Sequence, residues 1–221
     1  IILLGVNYCF TTCNLLTCCS ILIILTTLFN ILKLYKKEYF MQKERLMAFT
    51  DAVLAIIMTI LVLELKKPEE ISWIGLWNLK TNFFAYFISF LWLGTTWLNL
   101  HRSWDKIEKI NNKLVWLSLI LLFFSSFFPY VTSLVSMEFN NPVAQTFYGI
   151  IVLLVSFTNV WLYEELAHIS NSQATIKIAK EHNRYMVLDI TIKLIGLILT
   201  LTIFPSAMMW AVVITAVIII L

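Results

Sequence analysis

The stretch RLMAFTDAVLAIIMTILVLEL, residues 45–65, decides the fold of this chain. Arg45 and Asp51 open a segment that is otherwise apolar and has the length of about 20 residues that a membrane-spanning helix needs. A charged group at bilayer depth costs roughly 2.5–3.5 kcal/mol on insertion scales, so such groups are functional candidates by default. An ordinary helix end, with Arg45 extending to the lipid headgroups, is the alternative interpretation.

The composition places the whole chain in a bilayer. Of its 221 residues 60% are hydrophobic, whereas 13% are charged. A water-facing surface cannot hide so many apolar side chains, so the composition predicts an integral membrane protein. The net charge of +3 comes without a basic cluster interleaved with aromatic residues, and no nucleic-acid partner is expected.

Hydropathy predicts an all-α integral membrane protein with six transmembrane helices from residue 41 onward. Prolines and clusters of polar residues mark the breaks between the helices. The polar stretch 164–184, for example, is expected to separate the fourth span from the fifth. The predicted spans are residues 46–65, 81–101, 114–135, 143–163, 186–204 and 206–221.

The positive-inside rule orients these spans. Three lysines lie on one side of the predicted topology, namely Lys66, Lys67 and Lys80. Twelve basic residues lie on the other, namely Lys33, Lys36, Lys37, Lys43, Arg45, Arg102, Lys106, Lys109, Lys113, Lys177, Lys180 and Arg184. We therefore expect a multi-pass protein of the cell membrane, with both ends of the six-helix unit in the cytoplasm.

The sequence gives little support for catalysis. Its three histidines, His101, His168 and His182, are scattered, and a membrane enzyme would need a paired acid, base or nucleophile. Glu164 and His168 are one helical turn apart, which fits a solvated helix end better than a metal site. All four cysteines lie within residues 9–19 in no zinc or haem spacing. We expect no enzyme activity, no metal and no cofactor.

One stripe of the first helix could serve conduction. Ile56, Thr59 and Leu63 follow the i, i+3, i+7 spacing of a single helix face. Packing into a protein core is the ordinary role of such a stripe. If several copies of the helix surrounded an axis, however, the stripe would form an apolar constriction with one ring of hydroxyl groups.

The residues that open this helix have a family resemblance. Arg45, Phe49, Thr50 and Asp51, followed by the apolar helix, resemble the R-x-x-x-F-S/T-D signature of the transmembrane protein 175 family of potassium channels. The chain looks like the short prokaryotic members, which carry one six-helix repeat. The resemblance runs from Met41 to the end, so residues 41–221 are expected to form the channel repeat.

Residues 1–40 precede the resemblance. They could be an additional apolar helix, a signal-like segment, or sequence translated upstream of Met41, and the last is favoured because the resemblance begins at that methionine.

The resemblance implies a function and a site. It implies a homotetramer in membrane lipid that conducts K⁺ passively through a central pore lined by the first helix. Ile56 would form the hydrophobic neck, Thr59 would contribute to potassium selectivity, and Leu63 would lie one turn further out.

The same resemblance gives the signature residues a structural role. It implies a hydrogen-bonded network in which Trp97 and His101 of the second helix join the signature. Where the family often has an asparagine on the third helix, this chain has Ser118.

Charged residues deeper in the chain leave a rival function open. Asp189 and Lys193 are spaced i, i+4, which favours a stabilising pair inside the membrane, with a proton relay as the alternative. A secondary transporter or proton-conducting protein is therefore the alternative function.

Overall fold

The computed structural model describes residues 42–104, 110–170 and 172–220, and the segment 1–40 and the loop lysines Lys106 and Lys109 lie outside them. The described residues are mainly helical. The helices are α1 (Lys43–Leu63), α2 (Trp73–Asn78), α3 (Lys80–Trp104), α4 (Asn112–Ser125), α5 (Phe128–Met137), α6 (Pro142–Ile169), α7 (Gln173–Thr202) and α8 (Ala207–Ile220).

The predicted all-α membrane fold is confirmed in the described part of the chain. Five helical segments there are long and apolar enough to cross a membrane. They are Lys43–Leu63, Lys80–Trp104, Asn112–Met137, Pro142–Ile169 and Thr175–Thr202. The shorter apolar helix Ala207–Ile218 corresponds to the sixth predicted span.

The third predicted span is broken into two helices. α4 ends at Ser125 and α5 begins at Phe128, with Pro129 in its first turn. Proline has no backbone N–H and its ring clashes with the preceding turn, so it is tolerated at the start of a helix but not in its interior. The Ser126 N–H still donates to the Leu122 carbonyl over 2.9 Å, so the two helices together form one apolar segment.

The predicted break between the fourth and fifth spans, residues 164–184, is much shorter than expected. α6 continues to Ile169 and α7 begins at Gln173, so that nearly all of this polar stretch is helical. Polar residues do not end a helix when water can solvate them. Lys177 and Glu181, which are 3.9 Å apart at i, i+4, add support along the exposed face of α7.

Long-range contacts show which helix ends lie together. Trp97 near the end of α3 meets Asp51 near the start of α1, and Asn111 before α4 meets Glu165 near the end of α6. Asn82, at the start of α3, instead meets Ser136 at the end of α5. The first four described spans therefore run in alternating directions, as the predicted topology requires.

Candidate pore helix and its supporting network

Helix α1 has one buried face and one exposed face. Its buried side chains recur every three or four residues and pack against the rest of the subunit. They are Leu46, Thr50, Leu54, Ile57 and Leu61. At Gly94 of α3 the added Cβ of a larger residue would lie 3.7 Å from the Met58 methyl group, so α1 and α3 are close there.

The predicted stripe lies on the opposite, exposed face. Ile56 is 57% exposed, Leu63 is 78% exposed, and Thr59 between them is also exposed. Core packing within the subunit, the ordinary role of such a stripe, is therefore excluded for these three residues. The subunit presents an apolar stripe with a single hydroxyl group to whatever surrounds α1.

The Thr59 hydroxyl is oriented by its own helix. Its Oγ1 donates to the Ile56 carbonyl oxygen over 2.7 Å. The donor is thereby used within the helix, and the lone pairs of the oxygen are left for an acceptor role. A ring of such oxygens can contact a cation.

The signature residues occupy different environments. Thr50 is buried and its hydroxyl donates to the Leu46 carbonyl over 2.8 Å, whereas Phe49 is half exposed and Arg45 is exposed. Asp51 is half-buried, and its Oδ1 accepts a hydrogen bond of 2.8 Å from the Trp97 indole N–H. This contact joins α1 to α3. Among the described residues no ion pair links Arg45 to Asp51.

The other predicted members of the network divide into two groups. His101 stacks on Trp97 with ring centres 5.5 Å apart at 25°, one turn further along α3. Its buried Nδ1 has no hydrogen-bond partner in the described part of the chain. Ser118 donates instead to the Leu114 carbonyl of its own helix, over 2.9 Å. The structure thus brings Asp51, Trp97 and His101 together, and Ser118 binds backbone within α4.

A second polar cluster, which sequence reasoning missed, lies near the same ends of α3 and α6. The Ser103 hydroxyl donates to the Tyr163 hydroxyl over 2.6 Å, and that hydroxyl donates to the Asn99 carbonyl over 2.8 Å. The His182 ring of α7 stacks on Tyr163 with centres 3.5 Å apart. Polar residues at helical spacing within apolar spans were the available signal, but their partners are about 60 residues away along the chain.

A third polar cluster, also missed, ties α3, α5 and α6 together. Thr132 donates to Ser89 over 2.8 Å, and Ser89 lies 3.2 Å from the Tyr148 hydroxyl. All three residues are buried. Buried polar groups need hydrogen-bond partners, so these hydroxyls fix the relative positions of three helices within the subunit.

The pair Asp189–Lys193 is formed and fully buried. The Lys193 Nζ lies 2.6 Å from Asp189 Oδ2 and 3.1 Å from the Ser156 hydroxyl of α6. It also lies 4.9 Å from the centre of the Trp92 ring of α3. The spacing predicted the pair, whereas the contacts with Ser156 and Trp92 depend on the packing of three helices.

The prediction of a solvated helix end around residue 164 was only partly correct. Glu164 and His168 are exposed as expected, but the neighbouring Glu165 is 5% exposed. Glu165 accepts a 2.6 Å hydrogen bond from the Asn111 amide and lies 2.5 Å from Lys113. It therefore fastens the end of α6 to the start of α4.

The described residues define a class of protein before any comparison is made. They form a multi-pass helical membrane protein whose first helix exposes an apolar stripe with one oriented hydroxyl group. Among the described residues no group of three or more histidine, cysteine, aspartate or glutamate side chains could hold a metal ion.

Comparison with known proteins shows which family part of the chain resembles. Residues 45–129 match the sequence model of the family described as "Endosomal/lysosomal potassium channel TMEM175". This match agrees with the family resemblance of the signature residues. The family is described as a channel family and not as an enzyme family, in agreement with the expectation from the sequence.

Curated relatives carry matching names. A protein of Chryseobacterium sp. named a potassium channel is 42% identical over 120 residues, which cover 53% of this chain and 62% of the relative. A potassium channel of Chamaesiphon minutus is 29% identical over 134 residues, covering 56% of this chain and 66% of the relative. A Danio rerio relative, named an endosomal/lysosomal proton channel, is 27% identical over 148 residues and is covered over 28% of its length.

One solved structure shares the fold. The crystal structure of a lysosomal potassium-selective channel TMEM175 homologue from Chamaesiphon minutus superposes with a TM-score of 0.62 at 23% identity. The match covers 80% of this chain and 97% of that one. At this level of identity the superposition supports the arrangement of the helices.

Proposed function

We propose that this protein is the subunit of a homotetrameric potassium channel in which α1 lines a central pore. The observation that carries the proposal is the exposure of Ile56, Thr59 and Leu63 on the face of α1 that points away from the subunit. The names of the curated relatives from Chryseobacterium and Chamaesiphon support K⁺ as the permeating ion.

The chemistry of the stripe suits a pore with a narrow neck. A ring of Ile56 side chains would exclude water until the neck widens, which is how hydrophobic constrictions gate. A ring of Thr59 oxygens, each with its hydroxyl hydrogen donated to the Ile56 carbonyl, would replace part of the hydration shell of a cation. One such ring discriminates between cations less than a filter with several carbonyl sites, so moderate K⁺ over Na⁺ selectivity follows.

The signature residues would hold α1 in position and would not bind the ion. Asp51 accepts a hydrogen bond from Trp97, and His101 stacks on Trp97 from one turn further along α3. Thr50 packs its hydroxyl against its own helix. Phe49 and Arg45 are exposed on the isolated subunit, so we assign them to contacts with neighbouring subunits or lipid headgroups, and Ser118 to the packing of α4 against α1.

The distribution of basic residues orients the subunit. We assign the start of α1, the α3–α4 connection and the α6–α7 connection to the cytoplasmic side of the cell membrane, because the predicted excess of lysine and arginine lies there. Among the described residues this side includes Arg45, Arg102, Lys113, Lys177 and Arg184.

Flux measurements with the purified full chain test the proposal. Liposomes that contain the protein and are loaded with K⁺ should take up a permeant cationic dye without a K⁺ ionophore, because K⁺ leaves through the channel. Ile56→Asn should raise the initial rate of dye uptake because it wets the neck. Ile198→Asn is the matched control, since Ile198 is exposed on α7 and lies off the proposed pore. The proposal fails if no passive K⁺ flux occurs, or if both variants change the rate equally.

A transporter or proton-conducting protein is the second candidate function. The buried Asp189–Lys193 pair favours it, because Asp189 Oδ1 lacks a hydrogen-bond partner in the described part of the chain and could take up a proton. The name of the Danio rerio relative points the same way. Flux driven by a pH gradient without passive K⁺ current in the same liposomes would favour this second function.

A further inference from the structure

The connection between α1 and α3 carries an exposed apolar surface that the pore does not use. Four large side chains there, which we name the outer apolar patch, are among the most exposed in the described part of the chain. Ile71 is 99% exposed, Trp73 88%, Ile74 75% and Trp77 70%.

The short helix α2 turns this patch away from the protein. Trp73, Ile74 and Trp77 lie on one side of the helix, whereas the half-buried Gly75 and Leu79 lie on the other. No side chain of α2 is buried against the subunit. The pattern is the reverse of that of a helix packed on a soluble domain, where the apolar face points inward.

Local contacts fix this orientation. The Ser72 hydroxyl accepts the Gly75 N–H over 3.0 Å and so caps the start of α2. A Cβ at Gly75 would lie 2.2 Å from the Glu70 carbonyl oxygen, so only glycine permits the close approach of α2 to the preceding turn. The patch is held outward by the backbone and does not depend on a mobile side chain.

We propose that the outer apolar patch binds the headgroup region of one lipid leaflet, the one at the C-terminal end of α1 and the N-terminal end of α3. The patch connects the same-side ends of two membrane-spanning helices and is thus continuous with the lipid-embedded part of the protein. Tryptophan favours this boundary because its ring is apolar and its N–H is polar.

The lysines around the patch fit the same partner, whereas the exposed Glu64, Glu69 and Glu70 of the same connection would face water. Lys80 Nζ lies 5.5 Å from the centre of the Trp77 ring, so its ammonium group is held beside the aromatic surface, where lipid phosphates would lie. Lys66 and Lys67 precede the patch and are exposed. Binding of the outer apolar patch to the leaflet would hold the adjoining end of α1 in place. The proposal does not depend on which ion the protein conducts.

Site-directed spin labelling tests the proposal in liposomes of phosphatidylcholine and phosphatidylglycerol. The full chain is used with Cys9, Cys13, Cys18 and Cys19 replaced by serine, and a nitroxide is attached at Ile74→Cys or, separately, at Ile71→Cys. The label at Glu69→Cys is the matched control, because Glu69 is exposed in the same connection but polar. Power saturation then compares access of the label to O₂, which partitions into lipid, and to a water-soluble nickel chelate.

We expect both labels in the patch to show a severalfold higher ratio of O₂ to nickel access than the label at position 69. Equal nickel access at all three sites would overturn the proposal, because the patch would then face water. Low access to both reagents at the patch would also overturn it, because the patch would then be covered by another protein surface.

Discussion

At the scale of single residues, Thr59 combines exposure with an oriented hydroxyl group. Its hydrogen bond to the Ile56 carbonyl leaves only the oxygen free to meet a ligand. Threonine residues elsewhere in the spans make the same bond to their own helix, for example Thr191 to Val187 over 2.7 Å. The bond alone therefore assigns no function, and the position of Thr59 on the exposed stripe distinguishes it.

We expect Thr59→Val to lower the K⁺/Na⁺ permeability ratio while current persists. Loss of an oxygen contact of about 0.5–1.5 kcal/mol corresponds to a factor of roughly 2 to 10 in that ratio. Reversal potentials under bi-ionic conditions measure it. Thr191→Val, which removes an exposed hydroxyl from α7, should leave the ratio unchanged, and an unchanged ratio in both variants would remove Thr59 from the selectivity role.

A second prediction concerns the hydrogen bond from Trp97 to Asp51. Trp97→Phe keeps the ring but removes the indole N–H, so the carboxylate loses its donor from α3. Because both groups are partly exposed, the expected loss in the free energy of unfolding is about 1 kcal/mol, below the roughly 1.5–3 kcal/mol typical of hydrogen bonds to charged groups. Unfolding of the detergent-solubilised protein by SDS titration measures it. Trp161→Phe, at an exposed tryptophan of α6, should cost less, and equal losses would contradict the assigned role.

At the scale of the helices, α1 buries one face within the subunit and exposes the stripe of Ile56, Thr59 and Leu63 on the other. Its buried face is fully used by contacts within the subunit, so the opposite face is available for a second copy of the chain. Val53 is half-buried on the flank of α1.

Disulfide crosslinking tests this arrangement of α1. Ile56→Cys should crosslink efficiently between subunits because four copies of the residue would surround one axis. Val53→Cys, one turn earlier on the flank of the helix, should crosslink much less. Both variants are compared on non-reducing gels in a background without the native cysteines, and equal crosslinking would exclude α1 as the central helix.

A buried ion pair, Asp189–Lys193, lies where α6, α7 and α3 meet. Lys193→Met alone should lower the free energy of unfolding by about 3–5 kcal/mol, because it leaves the Asp189 charge buried and unpaired. The double variant Asp189→Leu with Lys193→Met should recover most of this loss, since apolar side chains often replace a buried pair without cost. The same SDS titration compares the two proteins.

Retained K⁺ flux in that double variant would assign the pair to stability. If the double variant unfolds as easily as Lys193→Met alone, or if it folds but loses flux, the purely structural role is wrong.

At the scale of the whole molecule, we propose that residues 41–221 form a self-sufficient repeat. The first described helix begins at Lys43, and its buried face packs on α3 and other helices of the same repeat. A chain that starts at Met41 should insert into the membrane and form a tetramer. Its mass by native mass spectrometry should equal that of the full-length tetramer minus four copies of residues 1–40. Failure of the shorter chain to assemble would show that those residues belong to the fold.

The sequence by itself determined the class of the protein, the approximate positions of its spans and the family that residues 45–129 resemble. Hydropathy is a local property, so the approximate position of each span could be read from its own residues, and the signature lies in the first turns of the first span. The i, i+4 spacing of Asp189 and Lys193 likewise sufficed to predict their pair.

Only the tertiary structure decided which way the helix faces point and which distant residues meet. A helical stripe has the same spacing whether it packs inward or outward, so the exposure of Ile56, Thr59 and Leu63 required the positions of the other helices. The bond between Asp51 and Trp97 joins residues 46 positions apart, and the partners of Tyr163 and Glu165 are as distant. Such contacts arise from the packing of whole helices, which no local pattern of residues records.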